Sequence, residues 1–249
     1  MKNRLIAVLA ILMFLIAPIA HAAIAFDAKS SGSGSNVTSV TVSHTVSGSN
    51  TILFVSVGTK DGGGGAAVSG VTYNGVAMTN ITTQNISSAY YQDLWYLINP
   101  STGTNNIVAS FGGVSADQAV VSAASYTGVL QISPLTTANT NQNSSANSLS
   151  STVTTSVDNS FVVSSVAFDG DGSNQPAVAG GETQRDVISP NTIWWAGLSD
   201  VVDVTAGAIS TSWSSGGSAS KFLVSSVGFA PAATATGTPP PSYSQGIIE

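Results

Sequence analysis

TILFVSVGT, residues 51–59, is an almost continuously apolar stretch that suits a central β-strand. Immediately before it, Val40, Val42, His44 and Val46 alternate with Thr41, Ser43 and Thr45, the period-two signature of a strand with two distinct faces. Ser49-Asn50 turns the chain between the two. Further β-like runs cover residues 70–73, 76–83, 89–98, 106–111 and 119–127. Asn74-Gly75 sits between two of them as a two-residue hairpin turn, and residues 100–103 (PSTG) close another. Residues 30–35 (SSGSGS) read as flexible. No segment sustains a 3.6-residue period with caps, so the body is expected to be all-β.

The second half echoes the first. NTILFV at 50–55 matches NSFVV at 159–163, GTNNIVASF at 103–111 closes like GAISTSW at 207–213, and VVSAASY at 120–126 matches LVSSVGF at 223–229. Ordered matches at nearly constant spacing predict two similar halves, about 48–128 and 151–230. Two arrangements fit: a small sandwich from each half, joined by the Ser/Asn/Thr-rich residues 136–150, or one jelly-roll-like antiparallel sandwich in which the halves share strands. The single sandwich over 23–231 is the expectation, because residues 24–46 supply strands that the second half lacks. Residues 232–249, rich in Pro, Thr and Ala, read as a disordered tail or linker.

VTYNGVAMT at 71–79, LWYLINPSTGTNNIVASF at 94–111 and ASYTGV at 124–129 resemble secreted or virion-borne β-sandwich domains of the jelly-roll, concanavalin A-like kind, found in bacterial surface and phage structural proteins. The resemblance implies a fold and a location outside the cell. It carries no catalytic residue.

Composition narrows the function. The 249 residues include 40 Ser and 25 Thr against 18 charged residues, no cysteine, and a net charge of −6. That excludes thiolate metal sites and a basic nucleic-acid-binding surface, since a phosphate backbone would be repelled. Residues 1–22 read as a secretory signal peptide: Lys2 and Arg4, a 13-residue apolar run at 5–17, then Pro18 and the small-x-small motif Ala20-His21-Ala22. The run is too short to span a bilayer. The expected mature chain is secreted or held at the cell surface, without membrane insertion.

Chemistry is sparse. After the signal peptide the only histidine is His44, on the same strand face as Val40, Val42 and Val46, and no sequence feature marks a partner for general-base work. A glycosidase needs two facing carboxylates, and the scattered acids offer no such pair. Asp169, Asp171 and Ser173 alternate in a Gly-rich loop with the spacing a calcium ion prefers, although the same pattern also makes an ordinary turn. Three aromatic pairs remain: Tyr90-Tyr91, Trp95-Tyr96 and Trp194-Trp195. With Leu94, Tyr96 and Ile98 facing inward, Tyr91, Asp93 and Trp95 share the opposite face. A platform of this kind suits stacking on sugar rings, with Trp194 or Trp195 as a second surface; packing under another sheet is the competing reading. The expectation is a non-enzymatic module for adhesion or glycan binding. A structural subunit that self-associates in an envelope, matrix, filament or virion is the alternative, and a secreted glycoside hydrolase is the third.

Overall fold

The computed structural model describes residues 22–64, 66–170, 174–179, 181–217 and 221–233. Residues 1–21 of the expected signal peptide, residues 234–249 of the expected tail, and Asp171 and Ser173 lie outside them. The described chain is all-β, and every strand pair is antiparallel.

The first half forms β1 (Ala25–Val37), β2 (Ser39–Val46), β3 (Ile52–Lys60), β4 (Gly70–Tyr73), β5 (Val76–Ala77), β6 (Thr79–Ile86), β7 (Tyr90–Ile98), β8 (Gly103–Ser110) and β9 (Ala116–Thr127). The second forms β10 (Asn139–Asn143), β11 (Ser148–Thr155), β12 (Ser160–Asp169), β13 (Ala177–Val178), β14 (Thr183–Ile188), β15 (Trp194–Val204), β16 (Gly207–Ser214) and β17 (Lys221–Phe229). Two inner sheets run β1-β9-β3-β7-β6 and β10-β17-β12-β15-β14, and two outer sheets run β2-β8-β4-β5 and β11-β16-β13. The strand orders of the two inner sheets correspond position for position, whereas β5 of the first outer sheet has no counterpart in the second. Asn74 and Gly75 form the β4–β5 turn with positive φ at both residues, as that hairpin geometry requires.

The four sheets stack as layers. Leu53, Val55 and Val57 of β3 pack on Val40, Val42, Val71, Tyr73 and Ile107 of the first outer sheet. Ile52 and Phe54, on the other face of β3, join Leu94 and Tyr126 against Phe161, Val163, Leu198 and Phe229 of the second half. Behind these, Val166, Phe168 and Phe222 pack on Leu149 and Trp213 of the second outer sheet. Hence β12 is buried at every position and β3 at every position before Lys60. The apolar run at 51–59 lacks strict alternation because both of its faces are covered.

The chain is an antiparallel β-sandwich as expected, but the halves do not share strands within a sheet. Each builds its own pair of sheets, and the two inner sheets meet face to face. Corresponding residues touch, as across a twofold axis: the Ser56 and Ser165 hydroxyls lie 2.6 Å apart, and Lys60 pairs with Asp169 at 2.7 Å. The sheets approach closely at Gly58, where a Cβ would stand 2.9 Å from that of Ala196.

Two more expectations change. Residues 30–35 are not flexible but lie within β1, laddered to β9 from Ser30↔Ala123 to Ser35↔Gln118; backbone pairing needs no bulky side chains, and Gly32 leaves room for Val42 beneath it. Residues 136–150 hold β10 and the start of β11 rather than a structureless connection.

Because each half presents an apolar inner face, neither should be monomeric by itself. Cutting the exposed connection between Ile132 (81 % exposed) and Ser133 and co-expressing the pieces should give a one-to-one complex with a single melting transition. Two pieces that purify as separate, cooperatively melting monomers would contradict this packing.

Candidate functional site

The starts of β7 and β15 come to the same end of the molecule. In the inner-sheet registers Tyr90 stands opposite Lys60 and Trp194 opposite Asp169, so Tyr90-Tyr91 and Trp194-Trp195 occupy corresponding positions in the two halves. Tyr90 and Trp194 pack on each other across the interface, ring centroids 5.8 Å apart. Lys60 and Lys221 stand over the Tyr90 ring at 5.5 and 5.7 Å. Burial, and then the adjacent Asp169 carboxylate, raise the Tyr90 phenol above its ordinary range. Outside this stack, on the opposite faces of their strands, Tyr91 and Trp195 remain half-buried. Trp195 donates Nε1–H to the Thr192 carbonyl at 3.0 Å and rests against the Phe168–Phe222 cluster.

The five aromatic and acidic residues singled out by the sequence are therefore not brought onto one surface. Tyr91, Asp93 and Trp95 do share a face of β7, as alternation requires, but at Asp93 and Trp95 that face is covered. Trp95 packs against the first-half core with its Nε1 buried and without a partner. Asp93 is 1 % exposed; its Oδ1 accepts a very short bond from Thr83 and one of 3.3 Å from Asn80, while Oδ2 has no partner. Burial pushes this carboxyl up to about 6. Trp194 is fully buried, so it cannot serve as a stacking surface. The physical reason is common to Asp93, Trp95 and Trp194: each lies on a part of an inner-sheet face that another sheet covers.

Asp169, 6 % exposed, accepts at Oδ1 from the Lys60 ammonium. Among the described residues no group of three or more His, Asp or Glu side chains comes together. The other two residues of the expected calcium loop, Asp171 and Ser173, lie outside the described residues.

His44 has partners the sequence did not reveal. Its Nδ1 meets Ser30 Oγ at 2.8 Å and its Nε2 meets Ser125 Oγ at 3.1 Å. Ser125 in turn donates to Asp27 Oδ2 at 2.7 Å. Since Ser125 gives its proton to the carboxylate, Nε2 must carry the imidazole proton and Nδ1 must accept from Ser30. Burial depresses His44 to about 4 against the pull of Asp27. A neutral, 1 % exposed imidazole held at both nitrogens joins β1, β2 and β9. The partners lie 14 and 81 residues away, so only the fold could disclose them.

The other notable polar site closes one seam between the halves. Arg185 donates to both oxygens of buried Asp200, at 2.6 and 2.9 Å, and Tyr126 adds a third bond at 2.7 Å. The guanidinium also covers Phe26 at 4.1 Å. The opposite seam, between β6 and β10, stays open. A hollow of about 500 Å³ there is lined by Thr83, Gln84, Asn85, Thr140, Asn141 and Gln142, all neutral and none aromatic.

Two buried groups make opposite contributions to the pH dependence of stability. Asp93 binds its proton more tightly folded than unfolded, so its contribution is lost as pH rises from about 4 to 6, by roughly 3 kcal/mol. His44 binds its proton less tightly folded, so its contribution grows between about 4 and 6.5 by a similar roughly 3 kcal/mol. Across this window the two contributions oppose each other. Asp93→Asn should make the slope of stability against pH more positive in denaturant titrations, and an unchanged slope would contradict the assignment.

No family model matches the chain, and no curated protein matches its sequence.

Proposed function

We propose that the chain is a secreted, non-enzymatic adhesion or glycan-binding module, built as two tandem jelly-roll-type sandwiches that arose by duplication. One observation carries the reading. The corresponding aromatic pairs Tyr90-Tyr91 and Trp194-Trp195 gather at one end of a molecule whose surface is nearly uncharged. Among the described residues only Lys29, Asp117, Asp158 and Asp203 are exposed charges. A surface of hydroxyls and amides favours a neutral polyhydroxyl partner over a nucleic acid or an anionic membrane. Within that end, Tyr91 and Trp195 are the residues left accessible for stacking, while Tyr90 and Trp194 hold them from behind. Secretion rests on residues 1–22 of the sequence.

The non-enzymatic part of the reading is supported by where the reactive groups are spent. His44 is held by two serines, Asp200 by Arg185 and Tyr126, and Asp169 by Lys60. His44 ties strands within the first half, and the other two groups hold the halves together, rather than facing a shared cleft. A structural role in an envelope, matrix, filament or virion is the second reading, favoured by uncharged strands at the sheet edges.

A glycan array probed with the mature chain, at low and high salt and with calcium or a chelator, tests the first reading. Binding to a neutral glycan, unmoved by salt, is expected. Trp195→Ala and Tyr91→Ala should each weaken it by about 1–3 kcal/mol, as for contact residues, with a small change in melting. Trp194→Ala should instead cost about 3–5 kcal/mol of stability, the usual penalty for emptying a core site. Binding that survives both Trp195→Ala and Tyr91→Ala would contradict the proposal, as would an array without any bound glycan.

A further inference from the structure

A free sheet edge offers unpaired N–H and C=O groups to any other strand, and soluble proteins usually blunt such edges with charge, proline or a bulge. The four inner-sheet edges of this molecule are treated unequally. On one side β1 carries exposed Lys29 and a register shift between Phe26 and Ala28. Facing it, β14 carries Arg185, Asp186 and a shift between Gln184 and Asp186. Lys29 Nζ donates to the Arg185 carbonyl at 2.6 Å, tying this side shut.

The other side carries neither charge nor proline, and its one register shift lies near the start of β6. Strand β10 (NTNQN) is exposed at all five residues, keeps an unbroken register with β17, and contains neither charge nor proline. Strand β6 (TNITTQNI) is likewise uncharged, and its one register shift, between Asn80 and Thr82, leaves 82–86 regular. Asn139 and Asn141 spend their side-chain amides on the Thr152 and Ser150 carbonyls of β11. The side chains of Asn85, Thr140 and Gln142 make no hydrogen bond among the described residues.

We propose that this side pairs with the same side of a second copy of the chain, β10 with β10 and β6 with β6. A twofold axis normal to the sheets makes both pairings antiparallel at once and extends each inner sheet across the dimer. The two open edges belong to stacked sheets, about 10 Å apart. A lone extended peptide could satisfy one of them, whereas a second copy presents two edges at that same separation. Uncharged edges meet without like-charge repulsion, and the exposed acids Asp117, Asp158 and Asp203 lie in neither strand. The inference is independent of the glycan reading.

Sedimentation of the full mature chain through a dilution series is the test. The expected result is a reversible dimer that persists at high salt. Gln142→Lys and Asn85→Lys should each raise its dissociation constant roughly a hundredfold, because an ammonium is trapped without a partner. Ser33→Lys on β1 should leave it unchanged, with melting unaffected in all three. If the lysine variants fail to melt cooperatively, single cysteines at Thr140, Asn141 and Gln142 in this cysteine-free chain replace them. At least one should then give a disulfide-linked dimer. A monomer throughout the series overturns the proposal and leaves the edges to another partner. A dimer abolished by Ser33→Lys but not by Gln142→Lys, or three cysteine variants that never cross-link, also overturns it.

Discussion

Two strands with no face toward solvent, β3 and β12, meet at the hydroxyls of Ser56 and Ser165, 2.6 Å apart. A polar group in so dry a place costs stability unless its bonds are completed. Here they are, through one continuous net. Gln92 donates to Ser165 at 2.5 Å and accepts from Ser225 and Gln84 at 2.6 and 2.9 Å. Gln84 also reaches the Val224 carbonyl, and Thr82 donates to Ser225. The net is neutral throughout, so it avoids the desolvation cost of buried charge. Its bonds also have direction, which apolar contact lacks, and so they fix the alignment of one half on the other. Around it, rings from both halves supply the apolar area, with Tyr126 and Phe229 at 5.1 Å.

From that alignment the charges find their places. All four basic residues beyond the expected signal peptide, Lys29, Lys60, Arg185 and Lys221, lie along the boundary between the halves. Lys60 and Lys221 mark one end, where the aromatic pairs meet. Lys29 and Arg185 close one seam. Among the described residues the opposite seam carries no charge, and the outer surface almost none. A chain with so few ionic groups uses them for internal registration, leaving hydroxyls and amides to face whatever it binds.

Much of this was legible in the sequence, and the remainder was hidden for identifiable reasons. Residues 51–59 read correctly as a central strand, and Asn74-Gly75 as a hairpin, because both signals are local. The placing of Tyr91, Asp93 and Trp95 on one face of β7 also held, since alternation alone decides it. What covers that face is a tertiary matter: a strand alternates identically whether its second face meets water or another sheet. The same limit concealed whether the halves share strands. Of the candidate site, the correspondence of Tyr90-Tyr91 with Trp194-Trp195 could have been found from the repeat spacing, as could the pairing of Lys60 with Asp169. The serine and aspartate partners of His44 could not, because no local pattern links residues 27, 30, 44 and 125.

The account turns on the contact between the two central strands, and the absence of cysteine makes that contact directly testable. In a Ser56→Cys, Ser165→Cys variant the two sulfurs replace hydroxyls 2.6 Å apart, within reach of a disulfide. Oxidative folding followed by thiol titration and mass measurement should find an intramolecular disulfide in a monomer-length chain, with no free thiol. Two thiols that stay titratable after denaturation, or cross-links that join only separate chains, would contradict the face-to-face packing on which the rest depends.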